Sequence, residues 1–183
     1  MPLINFLKIA LQDYRRVAAF IPTSKYAARR IVQEIKEGHK FIVEYGAGDG
    51  VITKEILKKI PADGRLIAVE LNKKFVLELK KIKDDRLTII NNDVAYVSKN
   101  LAKLGLPKID TVISGIPFSY INLETKREII KNTHKALADS GVFVVYQNSP
   151  LLLFRLESFL EKDVRCYFEP RNFPPYFIMV AEK

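Results

Sequence analysis

The stretch that most constrains this chain is residues 41–50, FIVEYGAGDG, in which a short apolar run leads into three glycines at alternate positions. The apolar run predicts a buried strand, and a helical pattern begins directly after the last glycine. Gly46, Gly48 and Gly50 allow a sharp turn with positive φ and expose bare backbone at the positive end of the next helix. The spacing differs from the dinucleotide fingerprint Gly-x-Gly-x-x-Gly, and Glu44 precedes the first glycine by two residues. This carboxylate favours a ligand with an ammonium group over a pyrophosphate, whereas the alternative is a glycine-rich turn that binds nothing.

Strand and helix patterns alternate along the rest of the chain, with short connections. The predicted strands after the loop are residues 65–70, 87–91, 110–114, 142–146, 164–168 and 176–181, and the predicted helices are 51–60, 73–82, 94–104, 123–137 and 151–162. Near-continuous apolar strands separated by helices indicate a parallel sheet that is covered on both faces. We therefore expect one α/β domain with a Rossmann-like, seven-stranded, mostly parallel sheet.

The N-terminal residues predict a separate amphipathic helix. Over residues 3–18 the apolar side chains recur at helical spacing, and basic and polar side chains occupy the other side. Such a helix either lies in a lipid interface or packs its apolar stripe on the domain core. Pro22 ends it, and Thr23 or Ser24 caps a second helix over residues 25–36. We expect residues 1–22 to form the helical segment and residues 23–183 the Rossmann-like core.

Composition narrows the partners and the cellular location. Thirty Lys and Arg against 21 Asp and Glu give a formal charge of +9. This charge favours a polyanionic partner such as RNA or an anionic membrane surface. The alternative is a generic basic surface without a specific partner. The single cysteine, Cys166, excludes an internal disulfide and is expected to be buried; with two histidines, no metal site is expected. The first residues lack a signal-peptide pattern and no apolar run reaches about 18 residues, so a cytoplasmic protein is expected, with a peripheral membrane position if the first helix binds lipid.

The predicted strands end in groups suited to a nucleoside. In parallel sheets the ligand lies beyond the carboxyl ends of the strands, where the strand order reverses. Glu70 ends the second strand about 20 residues past the glycine loop, where a carboxylate accepts hydrogen bonds from ribose hydroxyl groups. Asp93 follows the third strand and is placed to accept from an adenine amino group. The glycine loop and the three carboxylates together predict a site for an adenosine that carries a cationic tail.

These motifs resemble those of class I S-adenosylmethionine-dependent methyltransferases over about residues 40–147. The resemblance implies S-adenosyl-L-methionine as cofactor, with the glycine loop on the methionine part, Glu70 on the ribose, Asp93 on the adenine amino group, and Leu71 and Val94 beside the ring. The implied cofactor-binding residues are Thr23, Ser24, Glu44, Gly46, Ala47, Gly48, Gly50, Glu70, Leu71, Asp93, Val94 and Ser114.

Two groups of methyltransferases resemble the rest of the chain. Ribosomal RNA adenine dimethylases carry Asn or Asp, two residues and an aromatic after the fourth strand, but here the run is Gly115-Ile-Pro-Phe and lacks the side-chain carbonyl that holds the amine. Small bacterial phospholipid N-methyltransferases are similar over nearly the whole chain. They share an amphipathic first helix, a Pro-Ser/Thr-Ser element at Pro22, Ser-Gly-x-Pro at Ser114 and Arg-Asn-x-Pro-Pro at Arg171.

The second resemblance implies N-methylation of an amine, with phosphatidylethanolamine at a membrane surface as the expected substrate. The alternatives are an RNA adenine N6-methyltransferase and a cofactor-binding scaffold without activity. Gly115, Phe118 and Tyr120 are the candidate catalytic residues: Phe118 faces the ammonium or only walls the pocket, and Tyr120 is a base or a packing aromatic. Pro117, Arg171 and Asn172 are the candidate substrate-binding residues, with Arg171 either on a phosphate or in a surface salt bridge.

Overall fold

The structure is a computed structural model that describes residues 23–183. In chain order the elements are α1 (Lys25–Val32), β1 (Phe41–Tyr45), α2 (Val51–Lys59), β2 (Arg65–Val69), α3 (Lys73–Leu79), β3 (Leu87–Ile90), α4 (Val94–Lys99), β4 (Ile109–Ser114), α5 (Leu123–Ala136), β5 (Leu137–Gln147), α6 (Leu152–Leu160), β6 (Arg165–Glu169) and β7 (Tyr176–Glu182). Short 3-10 turns lie at Leu101–Lys103 and Phe118–Tyr120. The predicted helix over residues 3–18 lies outside the described residues.

Polar side chains set where several helices begin. The Ser24 hydroxyl accepts from the Ala27 N–H at 3.1 Å, as the sequence predicted for the start of α1. Asn72, Asp93 and Asn122 likewise accept backbone N–H groups in the first turns of α3, α4 and α5. Each cap satisfies a donor that has no partner within its own helix. Short polar residues therefore fix the helix starts that the loops of the site lead into.

The seven strands form one sheet in the order β3-β2-β1-β4-β5-β7-β6. β1 pairs in parallel with β2 and β4, and β2–β3 and β4–β5 are also parallel pairs. β7 runs antiparallel to both β5 and β6. The predicted seven-stranded, mostly parallel sheet is confirmed. β5 begins earlier than predicted because residues 137–141 pair irregularly, with a shift in register against β4 between Ile109 and Thr111.

Alternate residues of the central strands divide the core between the two faces of the sheet. Val43 and Tyr45 of β1 belong to one apolar cluster, with buried residues of α4, α5 and α6, whereas Ile42 belongs to the other, with residues of α1 and α2. α1 packs on α2, and α5 packs on both α4 and α6. This burial of apolar area on both faces is the main stabilising contribution and matches the predicted helix cover.

The sheet topology brings the functional loops to one edge. β2 and β3 lie on one side of β1, and β4 and β5 lie on the other, so the strand order reverses between β1 and β4. The carboxyl ends of all five parallel strands meet at the same edge, and a crevice forms there. Because β7 runs in the opposite direction, its amino end at Tyr176 reaches this edge as well. The loop of residues 170–175, which precedes β7, therefore lies at the same edge of the sheet as the crevice.

The predicted burial of Cys166 is wrong, because this residue is exposed. Cys166 lies on β6, which has a neighbouring strand on one side only. Among residues 23–183, no helix combines the length and the apolar character that crossing a bilayer requires. The described part of the chain also holds no group of three His, Cys, Asp or Glu side chains placed to bind a metal ion.

Candidate active site

A cavity of about 1240 Å³ opens at the carboxyl edge of the sheet. Its walls are the loops after β1 to β5, together with Thr23 and the start of β7. Of the sequence-predicted site residues, those that line it are Thr23, Gly46, Ala47, Gly48, Glu70, Leu71, Asp93, Val94, Gly115, Pro117 and Tyr120. The structure therefore brings most of the predicted residues together around one space large enough for a nucleoside and a second reactant.

The glycine loop has the geometry that its sequence predicts. Gly46, Gly48 and Gly50 adopt φ of 73°, 56° and 80°, in the left-handed region that favours glycine. A Cβ on Gly46 would lie 3.0 Å from Cγ2 of Ile116, so the loop passes closely over the segment after β4. A Cβ on Gly48 would meet no atom within 4 Å. The backbone at Gly48 thus borders open space in the cavity, just before the amino end of α2.

Glu44 lies beneath this loop and does not line the cavity. It is 1% exposed, its Oε2 accepts the Thr53 hydroxyl at 2.6 Å, and its Oε1 has no partner among the described residues. Burial raises the pKa of Glu44 to about 8. The hydrogen bond from Thr53 lowers this pKa, and the negative charge of Glu70 raises it further. An incompletely paired buried carboxyl group is costly, so a nearby positive charge would stabilise its ionised form.

Glu70 connects the end of β2 to the glycine loop. Its Oε2 accepts from the Gly48 N–H at 2.9 Å and its Oε1 from the Asn72 N–H at 2.7 Å. The Asn91 side-chain amide donates to the Glu70 carbonyl at 2.8 Å, which holds the ends of β2 and β3 together. The carboxylate therefore faces the cavity in a position fixed by backbone groups on two sides.

The part of the cavity wall after β2 and β3 combines one carboxylate with apolar side chains. Asp93 caps α4 by accepting from the Ala95 N–H at 2.7 Å, and it is exposed at the cavity wall. Leu71 is 65% exposed beside it, whereas Val94 is buried. Phe75 of α3 adds an aromatic ring that the sequence analysis did not single out. Apolar side chains together with a carboxylate on the cavity wall suit a base with an amino group.

The segment after β4 places its predicted residues differently. Gly115 and Tyr120 line the cavity, but Phe118 is fully buried in the apolar core because the 3-10 turn directs its ring inward. Its ring is therefore unavailable to a substrate ammonium in the cavity. The Ser114 hydroxyl is buried without a hydrogen-bond partner in the described residues and also lies off the wall.

Three predicted residues form a support beside the cavity. Ser24 donates to the Arg171 carbonyl at 2.6 Å, and its N–H donates to Asn172 Oδ1 at 2.8 Å. The Arg171 guanidinium makes a bidentate contact with Glu169, through Nε to Oε1 at 2.8 Å and a terminal nitrogen to Oε2 at 2.7 Å. Arg171 thus has the salt bridge that the sequence analysis gave as the alternative to a phosphate contact. Asn172 is buried and holds the loop before β7.

Several cavity residues were not predicted from sequence. They are Asn72, Phe75, Ile116, Ser119, Ile121, Thr125, Tyr146, Gln147, Asn148, Ser149 and Tyr176, among others. Gln147 donates to the Ile116 carbonyl at 2.9 Å and so ties the end of β5 to the segment after β4. The rule that ligands lie at carboxyl strand ends would have found Tyr146 and Gln147 if it had been extended to the fifth strand. Tyr176 could be found only with the direction of β7 known.

The comparisons with known proteins agree with this geometry. A family model described as a methyltransferase domain matches residues 43–143. Ornithine lipid N-methyltransferase from Singulisphaera acidiphila is 31% identical over 162 residues, which cover 87% of this chain and 84% of that protein.

Solved methyltransferases share the fold at low sequence identity. Precorrin-6y C5,15-methyltransferase from Geobacter metallireducens superposes with a TM-score of 0.68 at 20% identity, covering 88% of this chain and 90% of that one. The N-methyltransferase NodS from Bradyrhizobium japonicum, in complex with S-adenosyl-L-homocysteine, gives a TM-score of 0.62 at 12% identity, covering 86% and 87%. Together with the family model and the relative matched over most of both chains, these matches show that the chain belongs to the class I S-adenosylmethionine-dependent methyltransferases and uses S-adenosyl-L-methionine as its cofactor.

Proposed function

We propose that this methyltransferase transfers a methyl group to the amine of a lipid headgroup at an anionic membrane surface. The observation that carries the proposal is the similarity to an ornithine lipid N-methyltransferase over nearly the whole length of both chains. Phosphatidylethanolamine and ornithine lipid share the chemistry that matters, a primary amine held at a lipid–water interface. The proposal therefore names this amine, and the experiment below distinguishes its two sources.

The surroundings of the cavity support an amphiphilic substrate. Leu123 and Leu151 are 53% and 73% exposed, and they follow the cavity-lining residues Ile121 and Ser149 by two positions. Phe154, on α6, is 67% exposed. Exposed large apolar side chains next to a functional cavity favour an apolar partner, and the formal charge of +9 favours an anionic surface.

The residues present fit S-adenosylmethionine on two observations. The open space beside Gly48 leaves room for a ligand against bare backbone, and Oε1 of Glu44 has no hydrogen-bond partner among residues 23–183. We infer that the glycine loop holds the methionine part and Glu70 the ribose. A carboxylate oxygen accepts more than one hydrogen bond, so Glu70 can keep its backbone contacts while it binds a hydroxyl group. Asp93, Leu71 and Val94 would hold the adenine.

The chemistry is a displacement at carbon, and the protein contributes mainly by positioning. Bound S-adenosylmethionine supplies a methyl group on a sulfonium sulfur, and its transfer forms the C–N bond as the C–S bond breaks, with the electron pair staying on sulfur. The chain must hold the amine without its ammonium proton, in line with the methyl group, and shield both from water. Alignment of this kind contributes about 7–11 kcal/mol to lowering a barrier.

Methyl transfer to defined vesicles tests the proposal. Three vesicle preparations have the same anionic background of phosphatidylglycerol and contain phosphatidylethanolamine, ornithine lipid or neither amine lipid. Label from methyl-labelled S-adenosylmethionine is then counted in the lipid phase, and in a fourth arm in unmodified ribosomal RNA. We expect label in at least one amine lipid and none in the vesicles without it.

Each arm has a defined consequence. The lipid that accepts label identifies the headgroup. Label in RNA alone would overturn the proposal in favour of the adenine N6-methyltransferase, and label in neither lipid nor RNA would also overturn it. Activity on anionic vesicles should fall as salt rises from about 50 to about 500 mM, because salt screens the attraction of a basic protein to an anionic surface.

A further inference from the structure

A neighbouring side chain, and not the backbone conformation, requires glycine at position 115. Its φ is not in the left-handed region, so the backbone there accepts any residue. A Cβ at this position would nevertheless lie 1.9 Å from the hydroxyl oxygen of Tyr146 and 2.4 Å from its Cζ. The space that a side chain at position 115 would occupy is therefore filled by the Tyr146 hydroxyl. The missing side-chain carbonyl noted in the sequence is replaced in space by a phenol from another strand.

Tyr146 is held rigidly where it can contact a substrate. It is the second-last residue of β5, is 9% exposed, and lines the cavity. Its ring packs edge-on against Tyr176, with ring centroids 5.2 Å apart and planes at 60°. The Tyr176 hydroxyl lies 3.3 Å from the Thr23 hydroxyl, whereas the Tyr146 hydroxyl has no hydrogen-bond partner within residues 23–183.

The other candidate groups near Gly115 are placed less favourably. The Ser114 hydroxyl is buried off the cavity wall, and the Phe118 ring is in the core. Gln147 already donates its side-chain N–H to the Ile116 carbonyl. Tyr146 is thus the described side chain that both lines the cavity and reaches the position that a side chain at residue 115 would take.

We propose that the Tyr146 hydroxyl oxygen accepts a hydrogen bond from the substrate amine and so directs the nitrogen lone pair at the methyl group. The inference rests on the proposed methylation of an amine. Tyr146 forms no covalent bond and takes no proton; the proton that the ammonium loses goes to water. A phenol oxygen has lone pairs for this contact while it remains neutral.

The electrostatic setting is consistent with a neutral phenol. Burial, with smaller effects from the carboxyl group of Glu44 and from Tyr176, raises the pKa of Tyr146 well above its usual value. The group therefore stays protonated over the range in which an enzyme works. It acts by orientation, since the oxygen of a neutral phenol accepts a hydrogen bond but does not take up a further proton.

The substitution Tyr146→Phe removes the oxygen and keeps the ring on Tyr176. We expect kcat for the methylated amine lipid to fall about 10- to 100-fold, the effect of losing one hydrogen bond to a reacting group. The Kd of S-adenosyl-L-homocysteine, measured by calorimetry, should stay within about threefold because the contact is made to the amine. Tyr45→Phe is the matched control. It removes a buried hydroxyl group whose oxygen lies 3.1 Å from the Thr133 hydroxyl, and neither residue lines the cavity. It should keep kcat.

The outcomes separate this inference from the proposed function. A wild-type protein that methylates no amine overturns both. A wild-type protein that methylates the lipid while Tyr146→Phe retains its kcat overturns only the role of Tyr146. A loss of kcat matched by an equal rise in the Kd of S-adenosyl-L-homocysteine would make Tyr146 a cofactor ligand and also overturn the inference.

A side-chain exchange gives a readout that a structural role would not produce. Gly115→Asn alone should abolish activity because its Cβ collides with Tyr146. Tyr146→Ala should be slow because it has no acceptor. The double variant G115N/Y146A has both the space and an amide oxygen, and we expect kcat about tenfold above that of Tyr146→Ala. Equal kcat values for Tyr146→Ala and G115N/Y146A would contradict the proposal that the group occupying the space beside residue 115 accepts the hydrogen bond from the amine.

Discussion

The carboxyl group of Glu44 has a different proton affinity in the folded and unfolded chain. Burial raises its pKa to about 8 in the folded protein, whereas an unfolded glutamate titrates near about 4.3. Between these values the folded protein holds a proton that the unfolded chain has released. The free energy of unfolding should therefore fall as pH rises through this window. Glu44 therefore lowers stability at neutral pH, and a cationic group placed beside it would lower its pKa and favour its ionised form.

The substitution Glu44→Gln should remove this dependence, because the amide is neutral in both states. We expect the variant to be similar to the wild type near pH 5 and more stable by up to ~3 kcal/mol at pH 7. Chemical denaturation at several pH values measures the difference. Glu37→Gln, at an exposed carboxylate, is the control and should follow the wild-type profile. Parallel profiles for Glu44→Gln and the wild type would contradict the prediction.

Gly48 and Gly105 form a matched pair that tests the proposed cofactor contact of the glycine loop. Both have positive φ, 56° and 72°, and in both a Cβ would meet no atom within 4 Å. Replacement by alanine should cost each about 1–2 kcal/mol of stability from backbone strain. Only Gly48→Ala places its methyl group in the cavity, so only this variant should weaken binding of S-adenosylmethionine, by about tenfold or more. Calorimetric titration with S-adenosylmethionine measures the affinity of both variants. Equal affinities for Gly48→Ala and Gly105→Ala would refute a cofactor contact at Gly48.

At the scale of elements, Arg86 links the start of β3 to the end of α2. Its guanidinium donates to the carbonyl groups of Leu57 at 2.7 Å and Ile60 at 2.8 Å, and it pairs with Asp84 at 2.9 and 2.7 Å. The side-chain hydrogen bond from Arg86 holds the pKa of Asp84 at about 2. The last carbonyl groups of a helix lack partners within it, and a planar cation can satisfy two of them together.

Arg86→Lys should therefore destabilise the protein by ~1–3 kcal/mol although the charge is kept, because an ammonium group cannot reproduce the fork of donors. Arg29→Lys is the control: this side chain is 64% exposed, and its nearest carboxylate oxygen is 3.8 Å away. Thermal or urea unfolding measures both, and similar losses would show that the geometry at Arg86 is unimportant.

The strands and helices were predictable because they depend on local pattern. The apolar run and glycines of residues 41–50 identified β1 and its loop, and the strand-end rule led to Glu70 and Asp93. The inward position of Phe118 was not predictable, since a 3-10 turn of three residues leaves no periodic pattern. The contact between Gly115 and Tyr146 joins two strands that are distant in sequence, so only the pairing of β4 with β5 reveals it.

The direction of β7 was within reach of the sequence. A parallel neighbour needs a crossover of about a dozen residues or more, and only residues 170–175 separate β6 from β7. This length forces an antiparallel pair. What the pattern could not provide is that β7 inserts between β5 and β6 and so brings Tyr176 to the cavity.

At the scale of the whole molecule, Asn172 joins the beginning and the end of the described chain. It is 4% exposed; its Oδ1 accepts from the Ser24 N–H, 148 residues away, and its Nδ2 donates to the Pro174 carbonyl at 2.7 Å. The contact holds the start of α1 against the loop before β7. It therefore supports the positions of Thr23 and Tyr176, which both line the cavity and whose hydroxyl oxygens lie 3.3 Å apart.

Asn172→Ala should lower the free energy of unfolding by ~2–3 kcal/mol, since it removes two hydrogen bonds and leaves the partly buried N–H of Ser24 unpaired. Asn148→Ala removes exposed contacts to the same loop, at 3.2 and 3.1 Å to the Pro174 and Pro175 carbonyls, and should cost less. Urea titration compares them. A loss for Asn148→Ala equal to that for Asn172→Ala would contradict the prediction.

The reversed β7 makes completion of the cavity depend on a late part of the described chain. The glycine loop, Glu70 and Asp93 emerge from the ribosome early, but Tyr176 and the loop that anchors Ser24 come from the last residues of the described chain. A nascent chain that lacks β7 has most of the residues proposed to bind the cofactor and only part of the cavity wall. We therefore expect a chain that ends before residues 170–175 and β7 to lack Tyr176 and the anchor of Ser24, and so to have an incomplete cavity.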